Sequence, residues 1–193
     1  SNSTIAWAGP CMRDGHDRPI FGNVNFCPRM LSTAASKWDY MKSTAVHELL
    51  HALGFGADSW PLFRDADGSP QTARDANGDV PYSEVTCPDG VTRTVQAPSN
   101  KTVRVAQARG GPVTLIVTPR VASVARDLFG CASLEGAELE NQPSSTTCYP
   151  SHWEQRVLLD EMMGAVSQPH SALSALTLAV LEDSGWYRAN YSS

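Results

Sequence analysis

The most informative stretch of the chain is Thr44-Ala45-Val46-His47-Glu48-Leu49-Leu50-His51-Ala52-Leu53-Gly54-Phe55. His47 and His51 are four residues apart, so on a helix both imidazoles lie on one face, where a single metal ion can bind both. Glu48 would then lie beside the metal, where it can take a proton from water. This His-Glu-x-x-His spacing is typical of zinc hydrolases.

The same pair of histidines has an explanation without a metal, as core residues on a buried helix face. Two unpaired buried imidazoles would each carry a desolvation cost, and a metal ion would remove it. The pattern therefore favours a metal site over a purely structural pair.

Length and composition predict one globular domain, or two small subdomains around a cleft. Of the 193 residues 41% are hydrophobic and 18% are charged, which is typical of a chain that buries a core. The net charge of -5 gives no reason to expect nucleic acid or an anionic membrane as a partner. No apolar run approaches the roughly 20 residues of a membrane span.

The five cysteines lack the close pairs of a zinc ribbon, which favours disulfides and a secreted or cell-surface protein. Sequons for N-glycosylation at Asn2, Asn100 and Asn190 agree with that localisation. Position suggests two pairings, Cys11 with Cys27 and Cys131 with Cys148, which would leave Cys87 unpaired. Free buried thiols are the alternative for the first pair.

Local patterns predict the elements before the insertion. Residues 4–8 and 22–26 have strand character. A helix over about 38–53 ends at Gly54, since glycine permits the left-handed turn that closes a helix. The apolar side of this helix is predicted to comprise Trp38, Met41, Ala45, Leu49 and Ala52.

Residues 56–102 are rich in Asp, Gly, Pro, Ser and Thr, which suggests a long inserted segment. Its acidic stretches 65–68 and 75–79 could bind calcium, but neither has the EF-hand spacing. Ordinary solvated turns are the preferred interpretation. Strand character appears at 91–95, 103–105 and 113–117.

Two helices are predicted after the insertion. Thr118 as cap and Pro119 in the first turn begin a helix that runs through Phe129, and Gly130 ends it. A second helix is expected over about 171–183, closed by Gly185.

Catalytic zinc usually takes three protein ligands, so one more ligand is needed. The extended metzincin motif would place a third histidine six residues after His51, but Ala57 stands there. Spacing does not choose among the remaining candidates, which are His16, His152, His170, Glu84, Glu135, Glu138, Glu140, Glu154 and Glu161.

Several stretches resemble the leishmanolysin family of zinc peptidases. The resemblance covers most of the chain and is weakest over 56–117. Besides the helix already quoted, the matching stretches are Ala6-Trp7-Ala8, Leu134-Glu135-Gly136-Ala137-Glu138-Leu139-Glu140-Asn141, Ser151-His152-Trp153, Asp160-Glu161-Met162-Met163 and Thr177-Leu178-Ala179-Val180-Leu181-Glu182-Asp183.

The resemblance implies that His152 is the third zinc ligand. It also implies that Met163, eleven residues later, is the methionine of the Met-turn, with Met162 as the neighbouring alternative. The implied activity is that of a zinc endopeptidase acting on proteins or peptides, with Glu48 as general base. Since the chain begins at Ser1 without a methionine, we expect a catalytic-domain piece. Any membrane association would then depend on parts outside it.

The fold implied is α+β and metzincin-like. Residues 1–55 would form an upper half with a mixed sheet and the active-site helix, and residues 118–193 an irregular lower half with the Met-turn and the last helix, after the insertion 56–117. A strand around 24–26 could hold the substrate in an extended conformation.

Two other classes of function stay open at this stage. One is a zinc hydrolase with a glutamate as third ligand, for which Glu84, Glu154 and Glu161 are candidates. The other is a non-catalytic binding or adhesion module stabilised by zinc. Glu48 argues against the second class, because a purely structural site has no use for a base. The substrate is not revealed by the sequence.

Overall fold

A computed structural model describes residues 4–141, 148–166 and 168–192. The sequon at Asn2 lies outside these residues, while Asn100 and Asn190 are exposed. The α-helices and β-strands of these residues, numbered in chain order, are β1 Ala6–Arg13, β2 Pro19–Phe26, α1 Trp38–Ala52, β3 Tyr82–Thr86, β4 Thr92–Gln96, β5 Val103–Ala108, β6 Gly111–Ile116, α2 Pro119–Phe129, β7 Ala137–Glu138 and α3 Ala175–Asp183.

The strands of the described residues pair antiparallel in three small sheets, β1-β2, β3-β4 and β5-β6-β7. The α+β class is confirmed. The predicted mixed sheet ahead of α1 is wrong, because β1 and β2 are joined by a short turn and a short turn reverses the chain. The division into an upper half, an insertion and a lower half stays a prediction.

The β1-β2 hairpin supports α1, which packs against both strands. Its turn is held by Asp14, whose Oδ1 accepts hydrogen bonds from the backbone N–H groups of His16 and Arg18. Both strands are longer than the segments predicted from sequence, 4–8 and 22–26.

Helix α1 has the predicted extent, and Gly54 follows it with φ +105°. The predicted apolar side is wrong, however. Trp38 is 69% exposed and Leu49 is 53% exposed, whereas Thr44, His47 and Glu48 are buried. The helix therefore turns a polar face toward the rest of the molecule, as expected if that face serves a site.

The predicted helix α2 is confirmed, with Thr118 before it and Gly130 after it in the left-handed conformation. Its first N–H groups, those of Arg120 and Val121, donate to Asp183 Oδ2 at the end of α3. Helix α3 begins at Ala175, later than predicted, because the side chain of Ser174 caps it by accepting from Leu176 N–H. The two helices pack together, and α2 also contacts β7, which pairs with the edge of β6.

The core lies beneath the C-terminal end of α1. Edge-to-face aromatic contacts link Phe55 to Trp60 and Trp153, and Phe63 to Trp60 and Trp186. Because these rings come from the segments after α1, around residue 153 and after α3, the core fixes those segments against one another.

Both predicted disulfides are wrong. The structure contains a bond between Cys87 and Cys148, while Cys11, Cys27 and Cys131 are free thiols. In the β1-β2 register Cys27 follows the pair Ala6↔Phe26, whereas Cys11 lies by the bulge at the other end of the hairpin. The two sulfur atoms are thus too far apart to bond.

The acidic turns of the insertion use their carboxylates locally. Asp67 Oδ1 accepts from Ser69 N–H, and Asp75 Oδ1 accepts from the N–H groups of Asn77 and Asp79. Such bonds between an aspartate and its own turn are the ordinary role of these residues. No described helix is long and apolar enough to cross a membrane.

Candidate metal centre

Three histidines from two parts of the chain meet at the inner face of α1. The Nε2 atoms of His47 and His51 are 3.0 Å apart, and those of His51 and His152 are 3.2 Å apart. The segment that carries His152 is tied to the chain after α1, because Ala57 N–H donates to Ser151 Oγ and Trp60 Nε1–H donates to the Pro150 carbonyl.

The other ring nitrogen of each histidine faces an oxygen. His47 Nδ1 lies 2.7 Å from the Met162 carbonyl, His51 Nδ1 lies 2.6 Å from the Phe55 carbonyl, and His152 Nδ1 lies 2.8 Å from Glu140 Oε1. Since these oxygens only accept, each Nδ1 carries the proton and each Nε2 presents a lone pair. Three lone pairs that converge repel one another unless a cation lies between them.

The donor set therefore fits a metal ion. Catalytic zinc is typically held by three protein ligands, and ligating histidines typically donate their second N–H to a carboxylate or a backbone carbonyl. The possible ligand atoms of these three histidines all lie within 4.8 Å of one another, which is close enough to share one ion. No other such group of three or more ligand side chains is found among the described residues.

Burial keeps two of these rings neutral. It lowers the pKa of His47 to about 4, against the opposing effect of the hydrogen bond with Met162. It also lowers the pKa of His51 to about 3, and the neighbouring rings of His47 and His152 act in the same direction. A neutral imidazole has the free lone pair that a metal requires.

Glu48 lies next to the three rings but is not one of the group of possible metal ligands. Its side chain is buried, and its Oε2 has no hydrogen-bond partner within the described part of the chain. Burial raises the pKa of its carboxyl group, partly offset by His152. An unpartnered carboxylate of raised pKa beside a metal site is well suited to accept a proton.

The site opens into a cleft of about 650 Å³. One wall is strand β1 with the residues before it, from Thr4 to Gly9, and another includes Tyr40 and Thr44 of α1. The predicted strand around 24–26 does not line this cleft. It forms the far strand of the hairpin, and β1 separates it from the site.

Met163 is fully buried, in a turn that touches both parts of the site. Its carbonyl accepts from Trp153 N–H, next to His152, and the preceding Met162 carbonyl faces His47. Its assignment as the Met-turn methionine stays a prediction.

The other sequence candidates for the third ligand are placed elsewhere. His16, His170 and Glu84 are exposed. Glu154 is buried, and its carboxylate accepts hydrogen bonds from Asn141 and Arg156. Glu161 is also buried, and its carboxylate accepts hydrogen bonds from Met163, Ser174 and Thr177.

Glu140 has a function that the sequence did not single out, since it was one of several acids competing for the metal. In the structure it binds the outer nitrogen of His152 instead. Burial acts to raise its pKa, but the hydrogen bond and the attraction of His152 outweigh this, and the pKa lies below its ordinary value.

Comparisons of this chain with a family model and with individual proteins agree on one family. A family model described as Leishmanolysin matches residues 1–193. The chain is 41% identical over 199 residues to a leishmanolysin-like peptidase of Drosophila melanogaster and 40% identical over 197 residues to one of Caenorhabditis elegans. It is 34% identical over 194 residues to the ciliated left-right organizer metallopeptidase of Mus musculus.

These matches cover 98%, 97% and 99% of this chain. They cover only 28%, 29% and 24% of the respective relatives. The chain thus corresponds to about a quarter of the length of each relative.

Proposed function

Because the chain belongs to the leishmanolysin family of metallopeptidases, we propose that the protein is a zinc-dependent endopeptidase whose ion binds His47, His51 and His152. The main observation behind the proposal is the convergence of three Nε2 lone pairs at a cleft, beside Glu48, whose Oε2 has no hydrogen-bond partner among the described residues. The choice of His152 as third ligand, which sequence spacing left open, is supported by the distance of 3.2 Å between its Nε2 and that of His51.

The three histidines would hold the ion, and Glu48 would move the proton. A zinc ion held there would lower the pKa of water to about 7 and polarise the scissile carbonyl. Glu48 Oε2, which accepts no hydrogen bond from the residues that the structure describes, takes a proton from the attacking water. The same carboxyl group then donates that proton to the nitrogen of the leaving amine. The carbon–nitrogen bond breaks, and Glu48 returns to its ionised form.

The substrates we propose are peptide segments bound in an extended form along β1. The Ile5 carbonyl accepts from Cys27 N–H, so Ile5 and, by alternation, Trp7 turn their backbone groups toward β2. The N–H and C=O groups of Ala6 and Ala8 then point toward the other edge of β1, which lines the cleft. An extended peptide can pair with that edge as an added strand.

We also propose that the protein is secreted or lies at the cell surface. The support is the Cys87–Cys148 disulfide and the exposure of the sequon residues Asn100 and Asn190. Treatment of protein secreted from eukaryotic cells with an N-glycosidase would shift its electrophoretic mobility if these sites are used.

A non-catalytic, zinc-stabilised module fits the site less well. A structural zinc site is closed by four protein ligands, whereas the described residues bring three possible ligand side chains together. Glu48 is also buried, and within the described part of the chain its Oε2 has no hydrogen-bond partner, a costly arrangement that a structural site would not need.

The test combines zinc analysis with cleavage of a mixed peptide library by the full-length protein. Wild type should carry one zinc ion per chain. Glu48→Gln should keep the zinc and lose at least about 100-fold in kcat, because the proton acceptor is gone. His152→Ala should lose the zinc.

Glu84→Gln is the matched control, an exposed glutamate that should change neither quantity. A Glu48→Gln variant that cleaves as fast as wild type would refute the proposed mechanism. If His152→Ala retains zinc while Glu154→Gln or Glu161→Gln loses all of it, the third ligand is a glutamate.

A further inference from the structure

Glu161 is a buried carboxylate that the proposed chemistry does not use. It is 5% exposed, and no cation contacts it among the described residues. Burial of an ionised group without compensation is costly. Burial raises the pKa of this carboxyl group, and hydrogen bonds from Thr177, Met163 and Ser174 act in the opposite direction by favouring the ionised form.

Every group that faces this carboxylate is a donor. Oε2 accepts from Met163 N–H at 2.5 Å. Oε1 accepts from the Ser174 hydroxyl at 2.8 Å, from Ser174 N–H at 3.3 Å and from the Thr177 hydroxyl at 2.5 Å.

The directions of the two hydroxyl bonds are fixed by other contacts. Ser174 Oγ already accepts from Leu176 N–H, and Thr177 Oγ1 already accepts from Trp153 Nε1–H. Both hydroxyl hydrogens are thus free to point at Glu161. An ionised carboxylate, which only accepts, is the group that satisfies all four donors.

The bond to Met163 N–H connects Glu161 to the metal centre. That N–H belongs to the same peptide group as the Met162 carbonyl, and the Met162 carbonyl faces His47 Nδ1 at 2.7 Å. The carboxylate, the peptide group and the imidazole therefore form one chain of hydrogen bonds. A negative charge at the N–H end of a peptide group makes its carbonyl a stronger acceptor, because bonds in such a chain polarise one another.

A second connection leads to the other side of the site. The Thr177 hydroxyl, which donates to Glu161, is held by the indole of Trp153. Trp153 follows His152 directly, and its backbone N–H donates to the Met163 carbonyl. Glu161 thus ties the start of α3, the turn at Met163 and the segment of His152 together.

We propose that Glu161 is a positioning residue of the metal centre, which fixes the Met162–Met163 peptide group so that its carbonyl holds His47 in the orientation and protonation that bind the ion. This inference rests on the proposed metal site. It assigns to a side chain that touches neither metal nor substrate a measurable effect on metal binding.

The test replaces Glu161 by glutamine, which has the same shape. Whichever way the amide is turned, its NH2 group faces either Met163 N–H or the donors of Ser174 and Thr177, so one set of donors loses its acceptor. In the full-length protein we expect Glu161→Gln to bind Co²⁺ and Zn²⁺ roughly tenfold more weakly, as for other partners of metal ligands. The visible absorption spectrum of the Co²⁺ form should also shift, because His47 is reoriented.

Asp183→Asn is the matched control. Asp183 is also a largely buried carboxylate that accepts two backbone N–H bonds, but it caps α2, and among the described residues its side chain contacts Arg120 and Val121 rather than the histidines or their partners. This variant should lower stability and leave both the metal affinity and the Co²⁺ spectrum of the folded protein unchanged.

If Glu161→Gln does not fold, the pair Thr177→Val and Thr177→Ser serves the same purpose. The valine removes the hydroxyl bond to Glu161 and should weaken metal binding by a smaller factor, whereas the serine keeps the hydroxyl and should restore wild-type affinity.

The outcomes separate the two proposals. Wild-type protein that binds no Co²⁺ would refute the metal site and this inference with it. Wild type that binds Co²⁺, together with Glu161→Gln and Thr177→Val variants of unchanged affinity and spectrum, would refute the inference alone. A loss of metal affinity in Asp183→Asn equal to that in Glu161→Gln would show that Glu161 acts only through stability.

Discussion

Three oxygens from three different segments hold the histidines of this site. The Met162 carbonyl, the Phe55 carbonyl and the Glu140 carboxylate each accept from one Nδ1. The nitrogen that a metal needs is therefore the one left over on each ring. At the residue scale, the metal site is defined as much by these acceptors as by the histidines.

Glu140 gives the clearest prediction at this scale. Glu140→Gln keeps an acceptor for His152 but removes the charge, so we expect metal affinity to fall by about tenfold. Glu140→Ala removes both the acceptor and the charge and should lower metal affinity by about 100-fold. Equilibrium competition with a chromophoric chelator measures both values.

Glu135→Gln is the control for Glu140, since Glu135 makes an exposed ion pair with Arg104 and should leave metal affinity unchanged. Wild-type affinity in Glu140→Ala would show that His152 does not need this carboxylate.

The residues of the site were predictable to different degrees. His47, Glu48 and His51 follow from a local motif, because the period of a helix places the two rings together. His152 lies 101 residues after His51, so only family resemblance indicated it. The backbone carbonyls of Met162 and Phe55 could not be predicted from the sequence, because every residue has a carbonyl and only the tertiary structure determines which of them face the rings.

At the scale of elements, the hairpin β1-β2 and helix α1 form one side of the site. The other side contains Glu140 and His152, and strand β7 comes shortly before Glu140 in the chain. β7 pairs with β6 through Leu115↔Glu138 and Ile116↔Ala137. Two residues after β7 comes Glu140, which binds His152. The approach of β7 to β6 therefore sets the position of a group that holds His152, the proposed third ligand.

Gly136, directly before β7, permits that approach. A Cβ atom at this position would lie 2.0 Å from the Ile116 carbonyl oxygen, so Gly136→Ala must push β7 away from β6. We expect a loss of about 1–3 kcal/mol in the free energy of unfolding, together with weaker metal binding. Urea denaturation followed by fluorescence measures the first quantity.

Gly111→Ala provides the comparison, because Gly111 lies in the same sheet and a Cβ there meets nothing within 4 Å. A Gly136→Ala variant as stable as Gly111→Ala would contradict the close packing of β7.

Elements with local signals were predicted well and those that depend on partners were not. Thr118, Pro119 and Gly130 mark the ends of α2 in the sequence and in the structure. The buried side of α1 was predicted wrongly, because the sequence pattern follows apolar residues whereas this helix buries His47 and Glu48.

At the scale of the whole molecule, the disulfide and the proposed metal site join segments that are distant in sequence. Cys87 and Cys148 are 61 residues apart, and the bond anchors the β3-β4 hairpin to the segment that leads to His152. The pairing could not be derived from spacing, because the approach of Cys148 to the end of β3 is a property of the folded chain.

Removal of this disulfide should destabilise the protein without altering the ligands. The double variant Cys87→Ala/Cys148→Ala should lose about 2–4 kcal/mol in the free energy of unfolding, since the unfolded chain gains conformational freedom. Cys131→Ala removes a free thiol and should change the free energy by no more than about 0.5 kcal/mol. A double variant as stable as Cys131→Ala would show that the bond is absent in solution.

The central claim is that His47, His51 and His152 together hold one zinc ion. Zinc K-edge X-ray absorption of the purified full-length protein tests it most directly. We predict imidazole scattering from three ligands plus one further light atom, at about 2.0–2.1 Å, and the loss of one imidazole in His152→Ala. Sulfur scattering at about 2.3 Å, or a wild-type spectrum retained in His152→Ala, would contradict the claim.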